Sequence, residues 1–107
     1  MTNNTGNIPE TAEQYIDLVR TLGAMAEYSL AELQNKEFVS DKDRFSALAR
    51  AAEVVETISS LRGDSSLFDK LRPTGLIEYQ KEMYAIEDSA RAKLVSLGYK
   101  YPGVNYE

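Results

Sequence analysis

Histidine, cysteine and tryptophan are all absent from this chain of 107 residues. Without histidine or cysteine there is no general base that titrates unperturbed near neutrality and no thiol nucleophile, and the commonest metal ligands are missing. The absence of cysteine also excludes a disulfide framework, so nothing argues for an oxidising compartment. No apolar run approaches the ~20 residues that span a bilayer. Met1 to Asn7 have neither the basic nor the apolar region of a secretion signal. A cytoplasmic protein with no membrane partner is expected.

Long basic runs are missing too. Twelve Lys and Arg stand singly against seventeen Asp and Glu, giving a net charge of −5 and a pI of about 4.8. That balance disfavours binding to a polyanion over the whole surface, and direct nucleic-acid binding is not expected. There is no internal repeat, no low-complexity segment, no glycine-rich phosphate loop, no Gly-x-Ser-x-Gly and no Ser-x-x-Lys. Hydrophobic residues nevertheless make up 43%, enough for the core of one globular domain.

Those hydrophobic residues recur with helical spacing. Residues 1–7 are polar, and 1–8 read as a flexible leader. A capping box at Thr11–Gln14, with Pro9 placed in the first turn, opens a helix that runs to about Lys36. Its apolar stripe is Tyr15, Leu18, Val19, Leu22, Met25, Ala26, Leu30 and Leu33. Gly23 lies at the stripe's edge and reads as a close-packing point, since glycine there costs about 1 kcal/mol against alanine. Ser40 opens a second helix, which Gly63 closes from the C′ position. Phe45, Leu48, Ala52 and Val55 form one apolar row on it, and Ala47, Ala51, Val54, Ile58 and Leu61 another. So wide a face must touch two neighbours.

Residues 64–72 read as a connector with one helical turn around Leu67, Phe68 and Leu71. Thr74 and Gly75 begin a third helix after Pro73, with a narrow seam of Leu76, Tyr79, Met83, Ile86, Ala90, Leu94 and Leu97. Gly98 ends it. The expected architecture is therefore all-α. Three long helices of about 22 to 27 residues, antiparallel between neighbours and joined by short turns, make a bundle over residues 9–98. A Tyr-rich, non-helical tail follows at 99–107.

Acidic helices can hold magnesium, so the carboxylates are the first candidate site. Glu53 and Glu56 supply the E-x-x-E half of the pattern that all-α nucleotide pyrophosphohydrolases use. The E-x-x-D half fails, because Ala85 and Ser66 stand three residues before Asp88 and Asp69. Both glutamates also fall opposite the second helix's apolar arc. No metal site, no cofactor and no catalytic residue is expected. Arg62 and Arg72 flank the connector and could grip an anion, though surface ion pairs are the usual fate of such residues.

More informative are side chains that break the helical pattern. Tyr28 lies well away from the first helix's stripe. Ile77, Tyr84, Asp88, Arg91 and Val95 line a second face of the third helix, away from its seam. Tyr and Arg beside aliphatic residues is interface composition. In the tail, Tyr99, Tyr101 and Tyr106 are candidate anchors that dock on the protein's own body or on a neighbouring subunit.

In overall character the chain resembles small acidic helical inhibitor and immunity-type proteins and virus-encoded accessory factors. All are short, single-domain, anionic and without catalytic residues. This likeness of class implies a non-enzymatic protein that binds and inhibits a macromolecular partner, and no motif accompanies it, so no residue role carries over. The acidity suits a partner protein with a basic surface. The alternatives are a self-associating helical binder that sequesters a nucleotide-like small anion in a two-fold interface and, more remotely, the magnesium-dependent hydrolase.

Overall fold

A computed structural model describes residues 8–101. They form four α-helices: α1 (Ala12–Asn35), α2 (Asp41–Gly63), α3 (Ser65–Leu71) and α4 (Gln80–Ser96). Two 3-10 turns, Arg72–Thr74 and Leu76–Tyr79, join α3 to α4. No strand occurs among the described residues, and no helix is long and apolar enough to cross a membrane. Most of the expected leader, and the tail from Pro102 onward with Tyr106, lie outside the described residues.

The first two helix starts follow the sequence signals. Thr11 Oγ1 accepts from the Gln14 backbone N–H at 3.1 Å, and the Gln14 amide oxygen accepts from the Glu10 N–H at 2.8 Å. The box thus closes one residue earlier than the standard pattern, and Pro9 sits ahead of the helix. Ser40 caps α2 in the same way through the Asp43 N–H.

Four helices replace the expected three, and two local competitions explain why. Gly63 remains helical while Asp64 ends α2, and the Asp64 carboxylate then accepts from the Leu67 N–H at 3.1 Å. One residue is the last cap of α2 and the first of α3, so the connector folds as a helix. Thr74 does not cap a helix, because its hydroxyl is committed elsewhere. It donates to the Leu71 carbonyl at 2.6 Å and accepts from the Ala12 N–H at 2.7 Å, tying the start of α1 to this turn. Gly75 follows in the left-handed region at φ 100°, which breaks helical continuity and delays α4 to Gln80.

Cross-helix pairs set the directions. Along α1 and α4, Arg20 meets Glu82, Gly23 faces Ile86 and Glu27 meets Lys93. The numbers rise together, so these helices are parallel. Between α2 and α4 the order reverses: Arg44 meets Leu97 whereas Ser59 and Arg62 meet Glu87. The helices α1, α2 and α4 therefore run up, down and up. At Gly23 an added Cβ would lie 2.5 Å from Ile86 Cγ2. This glycine is what lets α4 come close to α1.

Two apolar clusters fill the bundle. One gathers Ile16, Val19, Ile58, Leu71, Leu76 and Met83; the other gathers Ala26, Leu30, Leu48, Val55, Ala90 and Leu94. Each large member contributes about 1.5–3 kcal/mol through burial. Two expected core residues are exposed instead. Met25 is 51% and Phe45 54% accessible: Met25 falls outside the arc of α1 that Ile16, Val19, Gly23, Ala26 and Leu30 bury, and Phe45, near the start of α2, lies beside the Tyr99 ring. Outside the expected stripes Ala12 and Ile16 are also buried, and so is one charged residue, Glu87, 2% exposed.

Tyr15 is buried in the first cluster with its hydroxyl directed at Met83 Sδ. Burial pushes its phenol from the ordinary 10.0 up to about 12, with smaller contributions from nearby charges. Between those values the unfolded chain releases this proton while the folded chain keeps it. The native state then holds more protons, so stability falls as pH rises from about 10 towards 12, by up to about 1.4 kcal/mol per unit. Urea melts across this window should show Tyr15→Phe losing stability less steeply than the wild type. Parallel pH slopes for the two proteins would contradict the assignment.

Candidate functional site

The least expected feature of the interior lies at the α2–α4 seam. Glu87 occurs at the spacing Met83, Glu87, Ala90, Leu94, which places it on the inward face of α4. Its Oε1 accepts from Arg62 Nε at 2.5 Å. Its Oε2 accepts from Arg91 Nη2 at 2.7 Å and from the Ser59 hydroxyl, which in turn accepts from Arg91. A desolvated carboxylate is tolerable only with such partners. The hydrogen bond that Arg62 donates to Glu87 raises its guanidinium above the ordinary range, outweighing partial desolvation. Both guanidiniums are held in place by these bonds.

Each of these arginines then lies over an aromatic ring. The Arg62 guanidinium sits 5.4 Å from the Tyr84 ring centre and that of Arg91 5.3 Å from Tyr101. Tyr101 meets Tyr99 edge-on at 4.9 Å, and Tyr99 lies 6.1 Å from Phe45. The result is an unbroken strip along the seam: Tyr84, Arg62, Glu87, Arg91, Tyr101, Tyr99, Phe45. Both ends are open to solvent, with Tyr84 42% and Phe45 54% accessible.

The tail half of the strip is seated by the end of α4. Gly98 adopts φ 107°, its N–H bonds the Val95 carbonyl, and the Tyr99 N–H reaches back to Leu94. That is a Schellman cap, and it turns the chain over the seam. Arg44 adds a guanidinium at the Leu97 carbonyl, complementing the negative end of α4.

The structure places the sequence-predicted residues as follows. Tyr84, Arg91, Tyr99 and Tyr101 are members of one strip. Ile77, in the second 3-10 turn, and Asp88, on α4, are exposed, and Val95 is half-buried. Arg91 is committed to Glu87 and Ser59 and is not a free contact. Tyr28 is 69% exposed on α1 and takes no part in the strip. Tyr106 falls outside the described residues. Sequence reasoning missed Ser59, Glu87 and the place of Arg62, for which it weighs an anion grip against an ordinary surface ion pair. The available signal was position: Arg44, Ala51, Val55 and Arg62 share one row of α2, pointing two arginines at α4.

The other carboxylates have ordinary surroundings. Glu53 and Glu56 are exposed. Glu82 accepts from Arg20 at 2.5 and 2.9 Å, and this hydrogen-bonded pairing holds its carboxyl below the usual range. Among the described residues no group of three or more Asp and Glu could hold a metal ion. What the site offers chemically is a pre-set row of cationic and aromatic surfaces. No family model, curated protein or solved structure matches the chain.

Proposed function

We propose that this is a non-enzymatic interaction protein that binds a partner protein through the α2–α4 face and inhibits it by covering its surface. The observation that carries this reading is the buried Glu87, which fixes two arginines from two helices, one beneath the exposed Tyr84 and one beside the half-buried Tyr101. Side-chain ordering is a main cost of association. Here much of it is met before any partner arrives, and the residues so ordered are of the types that dominate binding energies. The face itself is close to charge-balanced, with Arg62 and Arg91 set against Glu87 and Asp88. The chain's net charge of −5 therefore acts at longer range, steering it to a partner with a basic surface.

Ile77 and Tyr84 are the fitting probes, since both are exposed and neither bonds to Glu87. In tagged protein recovered from its own source, Ile77→Ser with Tyr84→Ser should remove the co-purifying partner and leave helicity intact. The melting temperature should fall only slightly, because the Tyr84 contact with Arg62 is lost. Retention of the same partner at the same yield would refute this face as the binding surface.

A further inference from the structure

A second surface lies on the opposite side of α4. Because α1 and α4 are parallel and closely packed at Gly23, a groove runs between them. Two adjoining depressions of about 370 Å³ each form it. The first is walled by Arg20, Ala24, Glu82, Ala85, Ile86 and Ser89; the second by Leu30, Ala31, Gln34, Lys93, Ser96 and Leu97. Glu27 belongs to both. From Arg20 to Gln34 the groove is about 21 Å long at 1.5 Å per residue. Its walls are mostly small side chains over a floor of Ile86, Leu30 and Leu97.

We infer that the occupant of this groove is a second copy of the chain, related by a two-fold axis. Two observations select that occupant. The first is charge. Glu27 stands at the midpoint of the groove along α1 and pairs across it with Lys93, both side chains being half exposed. A two-fold axis lying along the groove through that midpoint exchanges the α1 and α4 walls and sets each Glu27 against the other copy's Lys93, so four charges alternate in sign. The second is shape. Tyr28, 69% exposed, stands on the rim between Ala24 and Ala31, four residues from one and three from the other. Each copy thus carries a projecting ring beside a row of small side chains, and an isologous interface needs both on one patch.

The contact is modest. Two helix faces about 21 Å long and about 10 Å wide each offer about 400 Å² in projection on each copy, about 800 Å² in all, which is below the range of stable interfaces and in that of weak, transient ones. The dimer expected is therefore weak and reversible. It leaves the α2–α4 face free, so this inference stands apart from the proposed partner binding.

Sedimentation equilibrium from about 5 to 200 µM tests it, bracketing the weak-interface range. The expected species are the 12.0 kDa chain and a dimer of about 24 kDa, twice that mass. Ser89→Arg and Ala24→Arg, both at exposed positions, should each weaken dimerisation at least tenfold, whereas Tyr84→Ser leaves it unchanged. A monomer at every concentration, a dimer indifferent to both arginines, or one dissolved by Tyr84→Ser would overturn the inference. Should an arginine variant lose helicity, a pyrene label on Ser89→Cys decides, since the chain has no other thiol. Concentration-dependent excimer emission from that label, absent from one on Val39→Cys, is the expected result. Equal emission from both, or none from either, would overturn it.

Discussion

Replacing Arg62 and Arg91 together by methionine is expected to cost about 3–5 kcal/mol, the range for stripping a buried charge of its partners. Glu87 is 2% exposed while the two arginine side chains are 34% and 39% exposed. The asymmetry decides which loss matters. A guanidinium left alone at the seam can turn to water, but the carboxylate cannot. Ser59 alone would remain to it, and a hydroxyl carries no charge. Adding Glu87→Leu to the double variant should therefore restore most of the lost stability, because an apolar residue of similar volume suits the same position. Either arginine removed singly should cost less than the pair. Urea unfolding at neutral pH measures all four proteins, with an unchanged m-value confirming that the same transition is compared. A double variant within about 1 kcal/mol of wild type would mean that Glu87 reaches solvent.

The second large effect is at Leu71. This residue closes α3 and is fully buried in the first apolar cluster, so Leu71→Ala should cost about 2–5 kcal/mol through lost burial and the cavity left behind. Met25→Ala should cost under about 0.5 kcal/mol, since its side chain is 51% exposed. Helical periodicity on α1 assigns Met25 to the core, while the sequence assigns Leu71 to a connector. The two substitutions therefore separate the observed fold from the simpler three-helix reading. Chemical denaturation midpoints for the pair provide the check, and equal costs would contradict the placement of α3.

The contrast shows what the sequence made visible. Helices with strong local signals were readable: Thr11, Ser40 and Gly98 act through groups a few residues away, so their caps appear in the sequence itself. The α3 region was not readable in the same way. Asp64 serves two helices at once, and the Thr74 hydroxyl is captured by Ala12, a residue far away along the chain. Tertiary competition of that kind leaves no local mark. At the seam, binary patterning worked against the reading. A glutamate in an apolar row was passed over for its neighbour Ile86, since pattern reasoning assumes that charge faces water. The row of Arg44 and Arg62 on α2 carried the missing clue, because paired cations on an inward face call for an acceptor on the helix opposite. Tyr84 and Arg91 were picked out together for their composition, and the structure joins them through Glu87 and Arg62, two residues that composition alone did not select.

On the proposed function, the α2–α4 face meets a partner protein. A photoreactive phenylalanine analogue at position 84 tests it in the protein's own source, with one at Val39, 97% exposed on the loop before α2, as the control. The prediction is a covalent adduct with one partner protein from position 84 and none from position 39. An adduct from 39 but not 84, or no adduct from either, would contradict it.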